Sequence, residues 1–233
     1  MKIMTFNTQH CLLYLEQRID FEAFAKAIKE SGADVIGLNE MRDAGEREDF
    51  QPQMKLLSEL SGIENYYFAR AIFHRGNNPY GNGLLSKYKI AEVKTVPIPD
   101  PVGRVEGKHY ESRCILKARL ENGLTVMVTH FGLNPDEQES AVRTILENME
   151  SEKCVLMGDF NVLPTASVLD PLRAVMKDAS EGFCGNAFTY PSDAPDRKID
   201  YIFVTPDVEI VSAEVPELVV SDHRPHTAQI LLA

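Results

Sequence analysis

Hydrophobic and polar positions alternate along this chain in short blocks. Residues 2–6, KIMTF, form a strand pattern. Residues 20–31 switch to helical spacing: Phe21, Phe24, Ala25 and Ile28 share one face, with Asp20 as N-cap and Gly32 as C-cap. DVIGL at 34–38 reads as a buried strand, and QPQMKLLSEL starts a second helix that Gly62 ends. Strands are predicted near 66–72, 82–86, 89–96, 112–120 and 124–130, with ENG at 121–123 as a hairpin turn. Residues 136–150 form a helix with Val142, Ile145, Leu146 and Met149 as its apolar stripe. CVLMG at 154–158 is the next strand, ended by its glycine. A short helix near 166–176 and strands at 199–204, 208–214 and 226–232 complete the chain. HRGNNPYGNG (74–83) and VPIPDPVGRVEG (96–107) read as long loops within one domain spanning 1–233.

The pattern has an echo: twice a helix leads into an apolar strand that ends on an acid, Glu40 in one case and Asp159 in the other. Other strand patterns also end on polar residues: Asn7, Asn39, His130, and Asn161 just beyond Asp159. Ligands gather outside the carboxyl ends of strands in sheet-based folds. Taken singly, each Asn or Asp also suits a turn. Asp200 does not, because it interrupts the apolar run IDYIFV, where a carboxylate needs a strong partner such as His223.

Composition narrows the chemistry. A net charge of −11 disfavours nonspecific nucleic-acid binding, although a local basic groove would still admit nucleic acid as a substrate. The four cysteines, Cys11, Cys114, Cys154 and Cys184, have no metal or disulfide spacing and read as buried free thiols. The start shows no signal-peptide pattern, so a cytoplasmic location is expected. No segment has the length of apolar sequence a membrane span requires, and no feature speaks to oligomeric state. Carboxylates, asparagines and histidines without thiolates suit a hard cation, Mg²⁺ or Mn²⁺, with Glu40 as first ligand and Asp222 and Asn7 beside it. An Asp–His pair and amide donors add the means to handle a phosphoryl group, and together the set describes metal-assisted attack of water on a phosphoester.

The ordered segments TFNTQ, GLNEM, GNGLLSKYKI, ESRCILKARL, VTHFGL, MGDFNVLP, KIDYIFV and SDHRPH resemble the endonuclease/exonuclease/phosphatase superfamily, from residue 3 to about 230. The resemblance implies an α/β (α+β) fold, a four-layer α/β/β/α sandwich of two mixed β-sheets with helices outside. It implies Asn7 and Glu40 as metal ligands, with Asp222 as a further one. His130 would contact the scissile phosphate, Asp159 position the nucleophilic water, and Asn161 hold the phosphate. Asp200 would orient His223, which stabilises or protonates. Arg113 is expected to be structural, and Asn82, Tyr110 and Glu111 to contact substrate. The expected substrate is a small or lipid-like phosphoester, because the two long loops carry too few cations for a duplex track. A nuclease of the same superfamily and a non-catalytic interaction protein on this fold are the alternatives.

Overall fold

A computed structural model describes residues 1–183 and 186–232; Cys184, one of the expected buried thiols, lies outside them. In chain order the elements are β1 (Lys2–Asn7), a small hairpin of β2 (Leu12–Leu13) and β3 (Arg18–Ile19), α1 (Phe21–Ser31), β4 (Val35–Arg42), α2 (Gln53–Ser61), β5 (Asn65–His74), β6 (Asn78–Ser86) and β7 (Ile90–Pro97). There follow β8 (Cys114–Leu120), β9 (Thr125–His130), α3 (Pro135–Asn148), β10 (Cys154–Asp159), α4 (Asp170–Arg173), β11 (Lys177–Asp178), β12 (Asp200–Val204), β13 (Val208–Glu214) and β14 (His226–Leu232).

Among the described residues the strands form two six-stranded sheets, ordered β13-β14-β1-β4-β6-β5 and β11-β12-β10-β9-β8-β7. Each sheet is antiparallel except for one central parallel pair, β1 with β4 and β9 with β10. The expected echo is therefore real at the level of topology: β1–α1–β4 and β9–α3–β10 occupy matching places in the two sheets. The inner faces of the sheets meet through Ile3, Val35, Leu84, Val126, Val128, Val155, Met157 and Ile202. On the outer faces, α1 and α2 cover Met4, Phe6, Ile36 and Leu38, and α3 packs with Met127, Leu156 and Phe160. The result is the expected four-layer sandwich.

The caps of α1 are as the sequence suggests. Asp20 Oδ1 accepts from the Ala23 N–H at 2.9 Å, and Gly32 closes α1 with φ +67°. Asn134 and Glu137 form a capping box on α3, with Pro135 in its first turn.

Several boundaries differ from the sequence reading. Residues 74–83 are not a long loop: β5 and β6 pair from Asn65↔Ser86 to His74↔Asn78, leaving only residues 75–77 as the turn. The Gly, Asn and Pro content was misleading because strand pairing, not local propensity, decides the backbone there. The second loop is longer than predicted, from Ile98 to Arg113 between β7 and β8. The 166–176 helix breaks into a 3-10 turn, Ser167–Leu169, and the single turn of α4. Gly158 does not end β10, which runs through Asp159. That glycine is required by its neighbour: a Cβ there would lie 1.8 Å from the Thr129 carbonyl oxygen. Cys11, Cys114 and Cys154 are buried and free, as expected.

Candidate active site

Successive side chains of a strand point to opposite faces, so parity decides which residues look into the gap between the sheets. Along β1 the inward set that holds Ile3 ends on Asn7; along β9, Val126 and Val128 lead to His130. Along β10, Val155 and Met157 lead to Asp159; along β12, Asp200 shares parity with Ile202 and Val204. Four strands thus end the same inner layer with polar residues at one rim.

Glu40 breaks the parity rule. Val35 faces inward while Ile36 and Leu38 face the helices, so regular alternation would put Glu40 outward. The β4–β6 register shifts between Leu38 and Met41, and Glu40 takes φ +62°. This bulge re-aims the carboxylate into the cavity, at a local backbone cost of about 1–3 kcal/mol. Asn161, with φ +52°, is held in a similar conformation just past β10.

The rim encloses a cavity of about 690 Å³ whose lining includes Glu40, Glu111, Arg113, His130, Asp159, Asn161, Asp222 and His223. Asp159 lies at its base. Its Oδ2 accepts from Asn7 Nδ2 at 3.0 Å and lies 3.5 Å from His130 Nε2 and 3.7 Å from His223 Nε2. Its Oδ1 accepts from the Asn161 N–H at 2.9 Å. His223 Nδ1 lies 2.8 Å from Asp200 Oδ2, the pair the sequence suggested. Asn7 Nδ2 also donates to Glu40 Oε1 at 3.1 Å, linking the two sheets' acids through one amide. Phe160 points away from the cavity into a cluster with Phe131, Tyr201 and Phe203.

Burial raises the Asp159 carboxyl to about 7; the His223 charge opposes this and Asp200 reinforces it. Burial pulls His223 down, but Asp200 and Asp159 outweigh it and lift the imidazole to about 10, so His223 carries the positive charge. Burial, then the charges of Arg113 and His223, hold His130 far below its usual range and therefore neutral. Glu40 is raised by burial; the Asn7 amide opposes this, and Asp222 adds to it.

Two expected substrate contacts are corrected by the structure. Asn82 is buried away from the cavity, accepting from Asn39 Nδ2 at 2.8 Å and donating to the Cys114 carbonyl at 3.0 Å. Its polar group satisfies the inter-sheet core, so it has none to offer a ligand. Tyr110 does not line the cavity either; its hydroxyl donates to Asp136 at 3.2 Å. Glu111 does line it, paired to Arg113 at 2.6 Å.

The sequence reading placed Asn39 at a strand end beside Glu40 but gave it no role in the site. Its Nδ2 donates to the Thr129 carbonyl at 2.8 Å in the opposite sheet, and its Oδ1 accepts from the Asp159 N–H at 2.9 Å. Its position next to Glu40 in GLNEM was the available signal. Tyr190 and Arg197 went unnoticed: the guanidinium lies 5.2 Å from the Tyr190 ring, which lies 4.9 Å from the His223 ring. No sequence spacing announces that stack. Leu133 and Leu163, both about half exposed, form an apolar part of the cavity wall.

The donor set fits a hard cation. Glu40, Asp159 and Asp222 turn carboxylates toward one cavity, and among the described residues no cysteine lines it. Asp159, Asp200 and His223 offer ligand atoms within 4.8 Å of one another. Two of the trio, Asp200 and His223, already form a charged hydrogen-bonded pair beside Asp159, and a protonated imidazole has no lone pair to give.

The sequence pattern of the Endonuclease/Exonuclease/phosphatase family matches residues 4–223. The fold is shared with an endonuclease/exonuclease/phosphatase structure from Beutenbergia cavernae DSM 12333, at TM-score 0.83 and 23% identity, covering 100% of this chain and 71% of that one. It is shared with a mannosyl-6-phosphatase of Bacteroides thetaiotaomicron VPI-5482, at TM-score 0.78 and 16% identity over 100% of both chains. ANGEL2, a 2',3'-cyclic phosphatase in complex with adenosine-2',3'-vanadate, matches at TM-score 0.70 and 15% identity over 98% of this chain and 94% of that one. No curated protein sequence matches the chain. No helix among the described residues is long and apolar enough to cross a membrane.

Proposed function

The chain belongs to the endonuclease/exonuclease/phosphatase family, which is generally hydrolytic and typically dependent on a divalent metal, and from that premise we propose that it is a Mg²⁺- or Mn²⁺-dependent hydrolase of a small or lipid-like phosphoester. The observation that carries this reading is the setting of Asp159, a buried acid raised to about 7, within 3.7 Å of a charged imidazole and 3.0 Å of the amide that also binds Glu40. Glu40, Asp222 and Asn7 would hold the cation, which when bound supplies Lewis-acid stabilisation of charge on the phosphate.

The residues divide the remaining work. Asp159 positions water and accepts its proton as the water oxygen bonds to phosphorus; a base near neutrality is effective at neutral pH. The ester P–O bond breaks opposite, and charged His223, held by Asp200, protonates or stabilises the leaving oxygen. Asn161 and His130 donate hydrogen bonds to the phosphoryl oxygens, where charge develops.

Cavity size and lining support a small substrate. A volume of about 690 Å³ suits a drug-sized ligand. The exposed faces of Leu133 and Leu163 suit an apolar portion of the substrate. The cavity's two arginines, Arg113 and Arg197, each already pair with an acid, Glu111 and Asp196, which is poor provision for a polyanionic strand.

The test is a panel of purified protein with Mg²⁺ or Mn²⁺ against bis-p-nitrophenyl phosphate, p-nitrophenyl phosphate, plasmid DNA and inositol lipids. Turnover of a small or lipid phosphoester that chelation abolishes is expected. Plasmid nicking at low enzyme would replace the reading with a nuclease. No turnover, together with no metal binding by calorimetry, would replace it with an interaction protein.

A further inference from the structure

We propose that Arg113 fixes the proton of His130 on Nε2, and so makes His130 a neutral hydrogen-bond donor to the scissile phosphate. The donor role rests on the phosphoester reading; the tautomer stands on geometry alone. Arg113, expected to be structural, is a positioning residue.

A neutral imidazole has one lone pair and one N–H. Arg113 Nη1 lies 3.1 Å from His130 Nδ1. A guanidinium has donors and no acceptor, so the nitrogen it meets accepts, and the ring proton sits on Nε2. His130 is buried and Arg113 mostly so, their side chains 6% and 11% exposed, which leaves water little access as a substitute partner. The arginine is itself fixed. Its Nη1 pairs with Glu111 Oε1 at 2.6 Å, and Glu111 Oε2 lies 3.6 Å from His74 Nε2. The Glu111 N–H donates to Glu137 Oε1 at 3.2 Å, and Glu137 Oε2 accepts from Asn134 N and Nδ2 at 3.1 and 2.6 Å. The capping box that starts α3 therefore anchors the end of the loop that carries the arginine into β8.

One contact opposes this assignment. Asn161 Nδ2, also a donor, lies 3.2 Å from His130 Nε2. Both donors cannot be served by one lone pair. Arg113 prevails on chemical grounds. Asn161 Nδ2 has a partner elsewhere, the Phe131 carbonyl at 3.2 Å, whereas Arg113 faces the ring as a full cation locked by Glu111. The opposite tautomer would set an Nδ1–H against the guanidinium in a buried site. With the proton on Nε2, the ring's N–H points to the side where Asp159 Oδ2 lies at 3.5 Å, which is the catalytic side of the cavity. A donor is needed there, because charge develops on the phosphoryl oxygens.

Long-range ¹H–¹⁵N correlation spectra of ¹⁵N-labelled, metal-free protein near neutral pH read the tautomer directly, with His130 assigned by its absence in His130→Gln. The Nε2–H form is expected. Arg113→Met should shift the signal toward Nδ1–H or an average of the two. It should also lower kcat on bis-p-nitrophenyl phosphate by about 100-fold, the lower end of the range for a positioned proton-carrying group, with a smaller effect on KM. Arg113→Lys, which keeps a donor, should recover part of both. An Nδ1–H tautomer in the unsubstituted protein would overturn the proposal, as would Arg113→Met with tautomer and kcat unchanged. Should Arg113→Met fail to fold, the spectrum of the unsubstituted protein and the Arg113→Lys variant decide. An Nε2–H ring in a protein that hydrolyses no phosphoester would sustain the tautomer and refute the reaction, so the two failures are distinguishable.

Discussion

The two sheets deliver acids to the cavity from matching places, yet the two acids have different surroundings. Asp159, at the end of β10, sits among side chains that balance it: His223 at 3.7 Å carries a charge, and Asp200 stands 2.8 Å behind that imidazole. Glu40, in the bulge of β4, has the Asn7 amide at 3.1 Å and His10 at 4.0 Å. Burial and the Arg42 charge lower His10 to about 4, so that imidazole is neutral and balances nothing. Asp222 adds more negative charge beside Glu40, which the more weakly felt charges of His223 and Arg113 offset in part. One half of the rim is furnished for proton transfer from its own residues. The other carries carboxylates in excess that a cation from solution would balance, and a half-buried carboxylate with little opposing charge is unfavourable.

Four measurements would break or sharpen this contrast. Asp159→Asn removes the base from the balanced half, and kcat should fall by about 10³-fold, near the middle of the range for general acid–base groups. Circular dichroism should show the fold intact. A variant with more than a tenth of the original kcat would mean that Asp159 is not the base. Glu40→Gln should lower kcat by about 10²-fold and, more tellingly, abolish the rise in Tm that millimolar Mg²⁺ gives the unsubstituted protein, since ligand binding to the folded state stabilises it. The same substitution removes an unbalanced charge, so the metal-free Tm should hold or rise. A retained Mg²⁺ shift would place the cation elsewhere.

Asn39 joins the halves, so Asn39→Ala should affect both. It leaves the Asp159 N–H, the Thr129 carbonyl and the Asn82 amide oxygen without their partner. Unmade buried hydrogen bonds cost about 1–3 kcal/mol each, and partial relaxation should bring the total to about 3 kcal/mol, read by urea unfolding. A loss under about 1 kcal/mol, the lower end of that range, would show that the sheets do not depend on this bridge.

The smallest effect is in the pH dependence of stability of metal-free protein. His223 is raised from 6.5 to about 10 in the folded state. The folded protein holds that proton more tightly than the unfolded chain, so its contribution is complete below 6.5 and fades as pH climbs through 10. Asp159, raised from 3.8 to about 7, likewise keeps its proton longer when folded, so stability falls as pH rises from about 4 to 7. Asp200→Asn should flatten the upper slope and Glu40→Gln should not. Equal slopes in all three proteins would mean that His223 is not the group responsible.

Much of this site is legible in the sequence. Asn7, His130, Asp159 and Asp200 stand at strand ends with the parity of inward hydrophobic neighbours, and a period of two is a local property that a sequence displays. The Asp200–His223 pair followed from the cost of an acid inside an apolar strand. What misled was local composition. Asn82 lies in a glycine-rich run that looked like a loop and proved to be β6, with its amide spent on the core.

The sequence by itself determined the strand parity, the helix caps and the residue types at each strand end, because each depends on neighbours a few positions away. Only the tertiary structure decided which ends meet. Asn7 and Asp159 are 152 positions apart and touch because two sheets stack at one register. The bulge that turns Glu40 inward exists only where β4 pairs with β6. Arg113 acquires its role from a ring on the adjacent strand. These are choices of packing between distant segments, and no local period encodes them.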